Sequence, residues 1–89
     1  MICIHILVSG RVQGVWYRAF TKDAAERHGI NGWVKNLDDG RVEALAIGEE
    51  DKIADFIDEL KIGPEASRVD SVETAESKTR EMHDSFRIL

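Results

Sequence analysis

The opening segment constrains this chain more than any other: Ile2, Ile4, Ile6 and Val8 alternate with Cys3, His5, Leu7 and Ser9. A period of two over eight residues makes a strand covered on at least one face, and a strand so apolar needs partner strands and a layer to lie against. The period then changes. Tyr17, Phe20 and Ala24, with Ala25 beside them, recur at helical spacing up to His28, and Gly29 supplies the stop. Residues 32–37 read as extended, with Trp33 and Val34 as strand formers; Asp39-Gly40 marks a hairpin, and residues 41–47 return as the partner strand. Between Gly48-Glu49-Glu50-Asp51 and Gly63-Pro64, the residues Ile53, Phe56, Ile57 and Leu60 fall at i, i+3, i+4 and i+7, the cleanest amphipathic helix in the chain. Residues 67–76 read as a strand with a bulge or kink, because Val69 and Val72 are three apart rather than two. A polar loop through Asp84 leads to a short last strand, residues 86–89.

The order is βαββαβ with one extra strand. A ferredoxin-like α+β sandwich, an antiparallel sheet with two helices on one face and a short C-terminal strand, satisfies it. With 89 residues, no internal linker and no short-period repeat, the expectation is a single domain spanning 1–89. Leu, Ile, Val and Phe make up 24 of the 89 residues, enough for a packed core. The lone cysteine, Cys3, excludes an intrachain disulfide and a Cys-rich metal cluster, and reads as an inert strand residue. Residues 1–8 are too short to span a bilayer and lack a basic flank and a small-residue cleavage site, which argues against a membrane span or secretory leader. A cytoplasmic monomer is the expectation.

Charge narrows the function. The net charge is −5, yet residues 1–36 carry five basic against two acidic side chains, and residues 37–89 seven against fifteen. The negative balance argues against non-specific binding to nucleic acid or an anionic membrane. An RNA-reading sheet would need aromatics on its central strands, and residues 41–47 contain none. No carboxylate occurs before Asp23, a stretch that holds Arg11 and Arg18. Chance, helped by an apolar first strand, accounts for that bias as well as a local site for a small anion does. The two helices differ in the same sense. The second fills its start with Glu49, Glu50 and Asp51, which complement the macrodipole. The first has no acid there, follows a glycine-containing loop over residues 10–16 and includes Arg18. Free backbone N–H groups, a positive helix end and a guanidinium are the ingredients of a phosphate or carboxylate site.

Other chemistries lack their parts. There is neither a G-x-x-x-x-G-K-[ST] loop nor a G-x-G-x-x-G fingerprint. Cys3 has no arginine six residues later, so a cysteinyl-phosphate mechanism is unsupported. His5, His28 and His83 are scattered: His5 reads as a packed strand residue with no acid or second histidine spaced to help it, and His28 as a helix end. Asp38-Asp39 reads as a turn rather than a magnesium pair, and the acids opening the second helix as a solvated cap. No metal site and no cofactor are expected. An enzyme built this way needs a reactive substrate; the competing reading is an anion-binding module on the same plan, with no turnover.

Two segments then stand out together. Val8-Ser9-Gly10-Arg11-Val12-Gln13-Gly14-Val15-Trp16-Tyr17-Arg18 resembles the first signature of the acylphosphatases, a glycine-bracketed phosphate loop ending in arginine. Gly32-Trp33-Val34-Lys35-Asn36-Leu37-Asp38-Asp39-Gly40-Arg41-Val42, followed by Gly48, resembles their second. Both keep the family's spacing, and the likeness spans the chain. One position departs: the family usually has Phe or Met before the arginine, and here stands Tyr17. A hydroxyl buried there without a partner would cost roughly 1–3 kcal/mol, so it must reach solvent or a hydrogen-bond acceptor.

The resemblance implies metal-independent hydrolysis of a small-molecule acyl phosphate to a carboxylate and inorganic phosphate, the latter both product and inhibitor. By matching positions, Arg18 would grip the phosphate and Asn36 would hold the attacking water. The backbone N–H groups of Gln13, Gly14, Val15, Trp16, Tyr17 and Arg18 would form the cradle, with Gly14 allowing close approach of the main chain. Gln13 enters as a backbone donor. Arg11 either adds positive potential or lies on the surface.

Overall fold

The computed structural model describes residues 1–79 and 81–89. Its elements are β1 (Ile2–Arg11), α1 (Tyr17–Arg27), β2 (Asn31–Asn36), β3 (Val42–Gly48), α2 (Glu50–Ile62), β4 (Arg68–Glu76) and β5 (Phe86–Ile88). The strands form one sheet in the order β4-β1-β3-β2-β5. β1 pairs antiparallel with β3 on one side and β4 on the other, and β2 pairs antiparallel with β3. The short extra C-terminal strand, β5, runs parallel to β2, so it makes the otherwise antiparallel sheet mixed. Connection geometry explains this direction. β4 ends opposite Ile4, at the same end of the sheet where β2 begins, so a segment crossing along that end delivers β5 in the direction of β2.

The expected bulge is present. Ser9 pairs with Ser71 and Gly10 with Val69, which leaves Asp70 as the extra residue on β4. Gly10 has φ 126°, and a Cβ there would lie 2.1 Å from the Arg68 carbonyl oxygen, so only glycine lets the strands stay paired. Because β4 supplies partners for Gly10 and Arg11, β1 continues through two residues that the glycine had suggested were loop.

One core lies between sheet and helices. Tyr17, Ala24 and Ala25 of α1 and Ile53, Phe56 and Leu60 of α2 join Ile6, Val8, Val34 and Ala44 of the sheet in one buried cluster, which puts both helices on the same face. Phe20 and Ile57, expected on the helix faces, are packed only partly.

The opposite face is not bare. Leu45 is buried there, and the segment after β4 crosses it. Ser77 N–H donates to the Cys3 carbonyl at 2.8 Å, Asn31 Nδ2 to the His83 carbonyl at 2.9 Å, and Gly32 N–H to the Ser85 carbonyl at 3.0 Å. Of the polar loop expected here, residue 80 lies outside the described residues. His5 finds the acid that its own strand does not provide: Nε2 lies 2.7 Å from Glu43 Oε2 on β3, and Lys35 Nζ sits 3.4 Å from the same carboxylate. Burial pushes the Glu43 carboxyl up, but hydrogen bonds from His5 and Lys35 outweigh it and hold the group below its ordinary range. Burial raises the Cys3 thiol. No helix among the described residues is long and apolar enough to cross a membrane.

Candidate active site

The site is built where β1 leaves the sheet. After Arg11 the chain turns through residues 12–16 into α1, and two residues of that turn hold positive φ, Gly14 at 72° and Trp16 at 66°. Val12 and Val15 point into the core, which anchors the turn from below. A turn that mixes left-handed residues with others is the kind of backbone from which anion-binding concavities are made. α1 begins at Tyr17 with no side-chain cap and no acid in its first turn. Its free N–H groups and the positive end of the macrodipole therefore face the turn uncompensated.

Across the turn stands the β2–β3 hairpin, and Gln13 ties the two together. Its Nε2 donates to the Leu37 carbonyl at 2.8 Å and to the Arg41 carbonyl at 2.9 Å. The Gln13 side chain is thus a clamp between loop and hairpin, a role that reading it as a backbone donor missed. Asn36, the last residue of β2, shares the helix-facing side with Val34. Asn36 Oδ1 is buried and has no hydrogen-bond partner among the described residues. A buried carbonyl oxygen left this way is destabilising by about 1–3 kcal/mol, so its retention calls for an explanation in function.

Between loop, α1 and hairpin lies a cleft of about 430 Å³ lined by Val12, Gly14, Trp16, Tyr17, Arg18, Ala19, Asn36 and Ile88. Arg18 and Asn36 share it, although 18 positions separate them in sequence. Of the residues expected at the site, Gly14, Trp16 and Tyr17 also line the cleft, while Gln13 and Val15 do not. At Gly14 a Cβ would meet no protein atom within 4 Å, so the structure's own demand for glycine there is the φ. Arg11 is exposed at the end of β1 and does not reach the cleft.

Among the described residues Arg18 is the only charged side chain on the lining. Its Nη1 donates to the Leu89 main-chain oxygen at 3.3 Å, a long contact that leaves the rest of the guanidinium fork free. β5 is fastened in turn: Leu89 N–H donates to the Val34 carbonyl at 2.9 Å and Lys22 Nζ to the Phe86 carbonyl at 3.2 Å. The Tyr17 hydroxyl has found its acceptor, the Leu60 carbonyl of α2 at 2.6 Å, and burial pushes the phenol well above its ordinary range. That bond pins the first residue of α1 to α2 and holds Arg18 on a fixed base. Among the described residues no three His, Cys, Asp or Glu side chains come together to hold a metal ion.

The family model for acylphosphatase matches residues 4–88. The chain belongs to the acylphosphatase family. An acylphosphatase of Legionella pneumophila is 49% identical over 88 residues, which are 99% of this chain and 96% of that protein. The crystal structure of acylphosphatase from Bacillus subtilis superposes with a TM-score of 0.96 at 43% identity, covering 100% of this chain and 99% of that one. An acylphosphatase structure from Coxiella burnetii gives a TM-score of 0.94 at 41% identity, over 99% and 92% of the two chains. As a family member the chain is a hydrolase acting on acyl phosphates. Within this acylphosphatase the cleft residues missed from sequence are Val12, Ala19 and Ile88. Ala19 follows Arg18 directly and could have been found by continuing the loop into the helix; Ile88 could not, because only the parallel pairing of β5 with β2 brings it near.

Proposed function

We propose that this acylphosphatase hydrolyses its substrate with two side chains and a loop of amides. Arg18, always charged, takes two phosphoryl oxygens in its fork, and the N–H groups of residues 13–18 receive the remaining negative charge. Asn36 orients a water opposite the acyl oxygen. The observation that carries this reading is that Asn36 and Arg18, distant in sequence, line one cleft. The Asn36 side-chain amide hydrogen-bonds a water in that cleft and holds it toward the phosphorus.

The water oxygen bonds to phosphorus as the bond to the acyl oxygen breaks, and that electron pair leaves with the carboxylate. The water's proton passes to a phosphate oxygen, since an amide is no base at neutral pH. Carboxylic acids have pKa values near ~4, so the leaving group departs without an acid. Positioning and charge stabilisation of a loose transition state then suffice, and no metal is needed. Residues 1–89 act as one monomeric domain in the cytoplasm, a reducing compartment suited to the free Cys3.

Benzoyl phosphate assayed with excess chelator tests the reading: turnover continues, and inorganic phosphate inhibits it competitively. Asn36→Ala lowers kcat by roughly 10²–10³ while phosphate inhibition persists, because only water positioning is lost. Near-normal turnover in that variant overturns the role of Asn36, and loss of turnover with chelator overturns metal independence.

A further inference from the structure

Trp16 breaks two local rules at once. It is the only non-glycine among the described residues with positive φ, a region that destabilises a bulky side chain. It also occupies the N-cap of α1, where a small polar residue or glycine would satisfy the helix, and it makes no capping bond. Its ring is 83% exposed. The other tryptophan, Trp33, is half-buried and carries Lys35 Nζ 5.3 Å from its ring centre, so its surroundings account for it. Nothing within the fold accounts for the Trp16 ring, which stands on the wall of the active-site cleft.

The rest of that wall is apolar. Ile88 is 42% exposed and Ala19 is exposed, and both line the cleft with Trp16. The cleft, at about 430 Å³, is several times larger than a phosphate ion needs, given the roughly 30 Å³ that one water takes up in the liquid. Its lining therefore offers two kinds of surface, polar at Arg18, Gly14 and Asn36 and apolar at Trp16, Ala19 and Ile88. Once Arg18 holds phosphate, no second charged side chain on the lining remains to meet a charged acyl group.

We propose that Trp16, with Ala19 and Ile88, seats the acyl group, so that this enzyme favours acyl phosphates whose acyl part is uncharged and apolar, aromatic ones above all. The inference rests on the phosphate-end assignment proposed above. A flat acyl group against the indole would bury surface that the fold leaves in water, and the attraction falls on a part of the substrate remote from the phosphorus.

The test is the ratio of kcat/KM for benzoyl phosphate to that for acetyl phosphate, which is independent of the fraction of enzyme correctly folded. Trp16→Gly relieves the backbone strain and removes the ring; the ratio falls roughly tenfold. Trp16→Phe restores most of it, and Ile88→Ala lowers it about threefold, as loss of smaller apolar contacts does. An unchanged ratio in both Trp16→Gly and Ile88→Ala overturns the proposal while leaving the hydrolytic reading intact. A wild-type chain that turns over neither compound removes both.

Discussion

The two helices begin in opposite ways, and the difference separates function from scaffold. α2 starts at an extended N-cap, Glu49 with φ −67° and ψ 141°, and places Glu50 and Asp51 in its first turn. Its macrodipole is answered by its own side chains, and nothing is left for a ligand. α1 starts at a left-handed tryptophan, has no acid in its first turn, and follows a turn with a second positive-φ residue at Gly14. The same chain thus contains a helix completed from within and a helix left open at its start. What the fold sets beside that open end is a cleft lined by Arg18 and Asn36, and the proposed phosphate site rests on that combination rather than on the helix end alone.

The largest effect comes from removing the one charge at the open end. Arg18→Ala lowers kcat/KM for benzoyl phosphate by about 10³ or more, as loss of a guanidinium from a phosphoryl transition state does, and inhibition by inorganic phosphate disappears with it. Steady-state kinetics with a phosphate titration checks both, and an unaltered inhibition constant would refute the grip. Next comes making α1 resemble α2. Ala19→Glu puts an acid in the exposed first turn beside the anion. The phosphate inhibition constant rises roughly tenfold, more at low salt than at high, since both the helix field and the local potential are opposed. The converse change at α2 is smaller and falls on stability: Glu50→Gln with Asp51→Asn removes its acids at about 0.3–1 kcal/mol each by denaturant unfolding, with turnover unchanged.

Sequence and structure agree most where periodicity or a long motif spoke. The alternation of Ile2 to Val8, the four apolar residues of α2 and the offset between Val69 and Val72 each encode local geometry, and each appears as read. The family was legible because two long motifs, one of them holding the glycine spacing and Arg18 in one short stretch, stand in register. Failures share one cause, contacts between residues distant in sequence. The acid for His5 comes from the neighbouring strand, at Glu43. Gln13 spends its side chain on carbonyls of the hairpin, and Ile88 joins the cleft through a parallel pairing that no local signal announces. Tyr17 is the intermediate case: its sequence demanded a partner for the hydroxyl, and only the packing of α1 on α2 could say that the partner is Leu60.

The far ends of the same two helices supply the smallest effect. Arg27 in the last turn of α1 reaches across to Glu59 of α2, with Nη2 2.6 Å from Oε1, and His28 contacts the other carboxylate oxygen. Glu59 lies near the C-terminal end of α2, where the helix field opposes a negative charge. Hydrogen bonds from Arg27 and then His28 outweigh the opposing effect of burial and hold the Glu59 carboxyl below its ordinary range. A carboxyl whose folded pKa is depressed adds stability that is complete above its unfolded value, near ~4.3, and that is lost as pH falls through the folded value. Glu59→Gln therefore destabilises the protein at neutral pH and has progressively less effect below about pH 4.3, where the wild-type group takes up its proton as well. Urea midpoints for both proteins across pH 3 to 7 measure the convergence, and a constant gap over that range would show that the pairing contributes packing rather than charge. The salt bridge is half exposed, so added salt narrows the neutral-pH gap and leaves phosphate inhibition at the distant N-terminus of α1 unaltered.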